Sequence, residues 1–314
     1  MVLWLTAALS AIAFSVATHV RSETERTSTE VDALKTYYIA SGAIDRAMLW
    51  MEWGQSYHAP DGTALYYQPP MPLIRYEFPE GHAEVEVIPE TSKLNINSAR
   101  PEELMSLLAA LSVPPERASL IMNGILDWRA PTPGGSFSQF DEYYLSLTPS
   151  FRARHTSFEE IEELLLVEGM TPEIFYGHYD KDAEGRMIPR IGLKDCVTVY
   201  GPAGPFDVNT VQPAVMYALG VPPDTVANIV ALRRLGPIRT LDQIKQFTQS
   251  PAVSRLGIGS GLFFTFRATA SARTPNGTLS DLRRSVSALV AIIGPNYNPP
   301  FHVMRWYDNA FMTQ

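Results

Sequence analysis

The sequence predicts an α+β fold in which a long N-terminal helix leaves a membrane and carries a head of sheet and helices. Three observations predict it. Val2–Val20 is continuously apolar, and a helical pattern runs on from it to Trp53. Strand-like sequence surrounds Val85 and returns only after residue 260. Between these regions a helix–turn–helix frame occurs twice.

The apolar stretch reads VLWLTAALSAIAFSVATHV, and His19 is its only titratable side chain. A helix of that length, at ~1.5 Å per residue, reaches roughly 28 Å, close to the ~30 Å core of a bilayer. The competing readings are a buried soluble helix and a cleaved signal peptide, which calls for a basic n-region and a shorter apolar run. Charges follow at once in RSETERTSTEVD, and Arg21–Trp53 has no proline. Val31, Leu34, Tyr38, Ser41, Ile44, Met48 and Met51 recur at spacings of three and four. That is one helical stripe. The helix is therefore expected to continue unbroken out of the bilayer, with its distal half packed on the protein's own sheet. Charge bias gives no orientation, because no residue precedes Met1.

After Trp53 comes turn-rich sequence, Pro60-Asp61-Gly62 and then Pro69-Pro70-Met71-Pro72. His82–Ile88 alternates polar and apolar residues as a half-buried strand does, and Pro89 ends it. Leu262–Ala272, Leu282–Ile293 and Phe301–Tyr307 have strand composition, with turns at Thr274-Pro275-Asn276-Gly277 and Gly294–Pro300. These four strands are expected to form one antiparallel sheet, so that Val85 and Phe264 share it. The helical repeats then become an insertion within that sheet, which chain ends lying close together permit.

The repeats start LNINSARPEELMSLLAAL at Leu94 and FDVNTVQPAVMYALGVPP at Phe206. Ser98 and Thr210 suit the helix N-cap, and Pro101 and Pro213 suit the first turn. Each repeat runs to a Val-Pro-Pro hinge, Val113-Pro114-Pro115 and Val221-Pro222-Pro223. A second helix follows each hinge, ERASLIMNGILDWR and DTVANIVALRRL. Phe158–Met170 and Thr240–Phe247 are expected as further helices.

Composition removes several function classes. The chain has 314 residues, enough for two or three compact units with real cores. Its net charge of −8 disfavours a phosphate backbone as partner. Cys196 is the single cysteine, which rules out an intramolecular disulfide and a cysteine-rich zinc site. The repeats resemble helix-hairpin-helix modules, but DNA-binding versions carry Gly-x-Gly so that bare amides reach a phosphate. Proline in both hinges removes a donor and adds bulk there. Leu256-Gly257-Ile258-Gly259 contains Gly-x-Gly but reads as a turn before a strand.

No catalytic residues and no bound cofactor are expected. The six histidines are scattered and no nucleophile or metal-protease motif appears. His178, beside Tyr179 and Asp180, reads as a loop residue. The acid pairs Glu102-Glu103, Glu159-Glu160 and Glu162-Glu163 fit first helical turns, where the helix dipole favours them. Cys196, in LKDCVTVY, reads as a small buried residue. One candidate metal loop stands out, YDKDAEGRMIPRI, in which Asp180, Asp182 and Glu184 alternate before Gly185 as calcium ligands do. Ile191 occupies the position of the distal bidentate Glu, and a solvated acidic turn is the plainer reading.

Taken in order, VLWLTAALS, YYIASGAIDRAM, HAEVEVIPETSKLNINSA, FEEIEELLLVEGMTPEIFYG, LKDCVTVYGPAGPFDVNT and RWYDN resemble the K-type minor pseudopilins of bacterial type II secretion systems. The resemblance spans nearly the whole chain. It implies a pilin-like fold, with the long helix on an antiparallel sheet and a large all-α insertion of helix-hairpin-helix-like (SAM-like) repeats. It implies a single-pass inner-membrane anchor, a periplasmic head, and assembly with I- and J-type minor pseudopilins at the tip of a pseudopilus. It also implies a basic leader removed by a peptidase, although this sequence opens inside the apolar segment. Calcium occurs in such heads, which draws attention to the Asp180 loop, though no cofactor is required. Val31, Leu34, Tyr38 and Ile44 are the expected assembly contacts. The rival reading is a membrane-tethered DNA receptor, which predicts a basic head and glycine hinges; no nucleic-acid partner is expected here.

The chain accordingly divides into a transmembrane helix (1–20), its amphipathic extension (21–53) and a first part of the sheet (54–93). The first helical repeat (94–177), a connector with the candidate metal loop (178–205) and the second repeat (206–252) follow. C-terminal strands (253–314) complete the sheet.

Overall fold

The computed structural model describes residues 2–310 except 64, 68, 69, 202, 203, 247–249, 260, 275, 295 and 296. Pro69, Phe247 and Pro275, named above in turns and a helix, lie outside the described residues.

Helix α1 runs unbroken over Val2–Ser56. Near its end Gly54 meets the following loop so closely that a Cβ there would sit 1.9 Å from the Tyr67 carbonyl oxygen. Only glycine allows that approach. A hairpin of β1 (Leu73–Phe78) and β2 (Gly81–Pro89) comes next. The helical insertion opens with β3 (Leu94–Asn95) and contains α2 (Pro101–Ala110), α3 (Pro115–Arg129), α4 (Gln139–Ser146) and α5 (Pro172–Tyr176). A second hairpin, β4 (Gly177–Lys181) and β5 (Met187–Ile191), leads to β6 (Val197–Thr198) and β7 (Phe206–Asp207). Then come α6 (Pro213–Ala218), α7 (Pro223–Leu235), α8 (Asp242–Lys245) and β8 (Leu256–Gly257). Three long strands close the chain, β9 (Phe263–Arg273), β10 (Leu279–Ile292) and β11 (Phe301–Tyr307).

The main sheet is antiparallel, in the order β1-β2-β9-β10-β11. Val85 lies opposite Ala268 and Pro89 opposite Phe264, so Val85 and Phe264 do share one sheet across the whole insertion. β1 was not expected. LIRYEF alternates in burial but follows a proline-rich stretch that hid its period.

Two hydrophobic cores result. In the first, Ala40, Ala43, Ile44, Ala47, Met48 and Met51 of α1 pack on the sheet, against Val85, Phe266, Ala268 and Ala288 among others. The buried stripe thus differs from the expected one. It begins at Thr36 and Ile39, while Leu34 and Tyr38 face outward. Alanine on both sides lets helix and sheet approach closely, and close approach wins over the larger side chains one turn away.

The second core fills the insertion, and the two repeats build it in parallel ways. β3 pairs with β6 and β7 with β8, both parallel. Asn97 clamps the backbone of Phe158, accepting from its N–H at 2.7 Å and donating to its carbonyl at 2.9 Å. Asn209 does the same to Ile238, at 2.7 and 3.1 Å. Arg129 donates to the carbonyls of Ile96 and Ala99, and Arg233 to those of Val208 and Val211. Burial lowers the Arg233 pKa to about 10. Helix α2 packs against α6, joining the repeats.

Local expectations need correction in four places. The N-caps are Arg100 and Gln212, not Ser98 and Thr210, because each helix starts at its proline. The Glu103 carboxylate accepts from the Arg100 backbone N–H at 2.8 Å and takes the capping role. Phe158–Met170 is not a helix; only Ile161–Leu166 turns, as a 3-10 helix. The Asn97 clamp ties down the Phe158 backbone N–H and carbonyl, and the Glu163 carboxylate caps the backbone N–H of Glu159 and Glu160. The Thr240–Phe247 helix is reduced to the single turn of α8, and the connector folds as the β4–β5 hairpin.

Replacing Asn209 with alanine leaves the N–H and carbonyl of Ile238 unpaired in the interior. At ~1–3 kcal/mol per orphaned group, Asn209→Ala should lower unfolding free energy by roughly 2–4 kcal/mol in denaturant titration. Asn97→Ala should cost less, because that clamp is only part-buried.

Candidate functional site

Helix α1 presents a long exposed surface. Every residue from 2 to 31 is exposed. Within this stretch lies a window with mean hydropathy 1.6, none of it buried. Such a helix fits a membrane anchor in length and composition. Immediately beyond, Arg21–Glu25 at 3.0 Å and Arg26–Glu30 at 3.1 Å pair along the helix. Thr24, Thr27 and Thr29 return their hydroxyls to carbonyls four residues earlier.

The expected assembly contacts separate into two groups. Val31, Leu34 and Tyr38 are 46%, 54% and 64% exposed and lie on one helical face. Ile44 is fully buried against the sheet, so it belongs to the core and is not a contact in this fold. The sheet adds the free edge of β11, where Val303 and Met304 are exposed. A register shift opposite Leu289 and Val290 and the charged Arg305 interrupt that edge, features that discourage indiscriminate strand pairing.

The candidate metal loop is the tip of the β4–β5 hairpin. Asp180 bonds Arg190 at 2.8 Å, which holds its carboxyl below the usual carboxylate range. Asp182 accepts from the backbone N–H groups of Glu184 and Arg186 and from the Arg186 guanidinium. Glu184 pairs with Arg186 at 3.2 Å. Each acid is neutralised by an arginine, and among the described residues no three acids, histidines or cysteines converge to hold a metal. As placed, Asp180, Asp182 and Glu184 do not fit a calcium ion. The acids were legible in the string; the arginines that the hairpin folds across to them were not. His178 stands 3.3 Å from Asp180 on the exposed hairpin. Cys196 is fully buried, and burial pushes its thiol well above the ordinary range.

The seam between insertion and sheet escaped sequence reading altogether. Thr265 donates to Glu90 at 2.6 Å and Lys93 to the same oxygen at 2.7 Å. Arg267 reaches Asp195 at 3.3 Å, Arg305 pairs with Glu160, and Tyr307 donates to Glu162 at 3.3 Å. Glu90, Glu160, Glu162 and Asp195 stand 72 to 175 residues before their partners on the last strands. The Val-Pro-Pro hinges bury Val113 and Val221 and use Pro114 and Pro222 as N-caps, so they offer no row of free amides.

Residues 87–176 match the family described as Type II secretion system (T2SS), protein K. A solved chain of the GspK-GspI-GspJ complex, from the type 2 secretion system of enterotoxigenic Escherichia coli, shares the fold at TM-score 0.51 and 16% identity. The likeness covers 90% of this chain and 98% of that one. No curated protein matches the sequence.

The protein K segment contains a buried ionic lock. His155 Nε2 lies 2.8 Å from Asp141, which also takes the Ser138 N–H and the Arg152 guanidinium. His155 Nδ1 faces the carbonyls of Asp127 and Ala130 at 3.2 Å. These bonds hold His155 at φ +49°, uncommon for a side chain of its size. Burial works to lower the His155 pKa, but the bond to Asp141 and its charge outweigh it, and the net shift is upward. Burial likewise works to raise Asp141, but the bonds from His155, Ser138 and Arg152 bring it below the ordinary value.

The signs define a window. A raised histidine stabilises fully below its unfolded pKa of about 6.5 and loses that contribution as pH rises through the folded value. A depressed aspartate stabilises above about 3.9 and loses its contribution as pH falls through the folded value. Thermal unfolding of the chain should therefore show its midpoint falling from about pH 6 to pH 9. In His155→Gln that part of the slope should vanish.

Proposed function

We propose that the chain is a K-type minor pseudopilin that assembles with I- and J-type minor pseudopilins at the tip of a type II secretion pseudopilus. α1 anchors it in the bacterial inner membrane by a single pass, with the head in the periplasm. The protein K segment lying inside a sheet carried by a bare apolar helix is the observation that carries this reading. The chain's resemblance in fold to a member of the GspK-GspI-GspJ complex supports it.

The mechanism is mechanical and needs no catalysis. The apolar half of α1 leaves lipid and packs beside neighbouring helices, exchanging one apolar environment for another. Val31, Leu34 and Tyr38 then meet a partner where the helix emerges, with desolvation of exposed apolar surface as the driving force. The insertion, built of helix-hairpin-helix-like repeats, serves as a rigid packing module. Its bulk above the sheet leaves no room for a further subunit, which makes it a cap. Proline hinges and acidic charge keep it off nucleic acid.

Full-length chain mixed with the I- and J-type proteins of the same system should co-purify as a ternary complex. Leu34→Asp and Tyr38→Asp should weaken that complex tenfold or more, about 1.4 kcal/mol, with the melting midpoint of the isolated chain unchanged. Ile44→Asp should instead unfold the head. Absence of the complex, with salt-sensitive binding to duplex DNA, would sink the proposal.

A further inference from the structure

The β4–β5 hairpin is a sheet of two strands, and among the described residues no other strand pairs with either. Two strands alone make a marginal sheet in water, and a third strand with a shared apolar face is one way to complete it. Here that face is bare. Tyr179 lies opposite Pro189 and Lys181 opposite Met187, so these four side chains stand on one side of the hairpin. Tyr179 is 60% exposed and Met187 56%.

The turn fixes which backbone groups point outward. Asp182 N–H donates to the Arg186 carbonyl at 2.9 Å and Gly185 N–H to the Asp182 carbonyl at 3.0 Å, with Gly185 at φ +79°. This three-residue loop makes Asp182–Arg186 a hydrogen-bonded pair. Such pairs recur at every second residue of an antiparallel ladder, so the next are Asp180–Ile188 and His178–Arg190. Tyr179 and Lys181 therefore turn N–H and C=O away from β5, to the outer edge of β4. On the far edge of β5 the corresponding residues are Met187 and Pro189, and proline has no N–H. One edge of the hairpin is open and the other is blunted.

Charge marks the open edge as well. Asp180 pairs with Arg190, and Asp182 and Glu184 with Arg186. Lys181 has no ion-pair partner among the described residues.

We propose that the outer edge of β4 takes an extended segment of another protein as a third, antiparallel strand. That segment carries a carboxylate opposite Lys181 and, two residues later, an apolar side chain opposite Tyr179. Main-chain bonds to Tyr179 and Lys181 hold it, and alternate side chains select it. Directly opposite residues stand roughly 5 Å apart at Cβ, so the apolar side chain extends the face of Tyr179, Met187 and Pro189. A cationic segment would meet Lys181. A second copy of β4 offers only Gly177, Tyr179 and Lys181 in the matching register, none of them acidic. The site does not depend on the assembly reading above.

The test titrates the full chain, in detergent micelles with nitrogen-labelled tyrosine and lysine, with the peptide acetyl-Thr-Glu-Thr-Val-Thr-amide. The Tyr179 and Lys181 amide resonances should shift and saturate at roughly millimolar peptide. Methylating the valine nitrogen, which faces β4, should abolish the shift, whereas methylating the central threonine nitrogen, which faces away, should leave it. Lys181→Glu should bind this peptide about two- to fivefold more weakly, the size of an exposed ion pair, and should prefer the peptide with lysine in place of glutamate. Tyr179→Pro removes the outward N–H without touching a β4–β5 hydrogen bond and should not bind, with its fold checked by circular dichroism. No shift in the wild type, or equal binding of the two methylated peptides, would overturn the proposal. So would shifts that follow the chain's own concentration without peptide, which would give the edge to a second copy.

Discussion

The pairing of β2 with β9 is the constraint on which the structure rests. It runs from Gly81 opposite Ala272 to Pro89 opposite Phe264 and joins segments separated by the entire insertion. Closing so long a loop costs little more than closing a short one, because the entropy grows only with the logarithm of length. The register matters more than the length. A slip of one residue would turn Val85 and Phe266 away from α1 and destroy the first core.

From that pairing the rest follows in order. The sheet gains one apolar face, in which alanines stand among larger side chains, and the alanine stripe of α1 settles onto it. The other face carries Thr265, Arg267, Arg305 and Tyr307, which hold the insertion by charge and hydrogen bonds, and Phe263 of β9 adds a ring contact with Tyr200. The molecule therefore has two hydrophobic cores and one largely polar seam. Such a seam aligns two bodies without fusing them, and a cavity lies in it beside Asp195.

The repeats show how one motif can be built for packing. Asn97 and Asn209 each clamp the backbone of a distant segment, and Arg129 and Arg233 each satisfy two carbonyls that precede a helix. These polar groups are turned inward on the protein's own backbone. An arginine that donates to buried carbonyls is not available to a phosphate.

Much was determined by the sequence alone. The membrane-length helix, the strands around Val85 and after residue 260, and the repeated frame all follow from local periodicity and proline placement, which act over a few residues. Val31, Leu34 and Tyr38 were legible as an apolar face on the same grounds. The tertiary structure alone decided which side of α1 is buried, since alanines outcompete larger residues only when a close-approaching sheet is present. That put Ile44 inside and Tyr38 outside. It also decided the fate of Asp180, Asp182 and Glu184, because their arginine partners arrive only when the hairpin folds. The seam was invisible in the string, since it brings together residues near 90, 160, 195, 267 and 305. Spacing along a chain carries no information about distances that are set only when the two ends of a sheet meet.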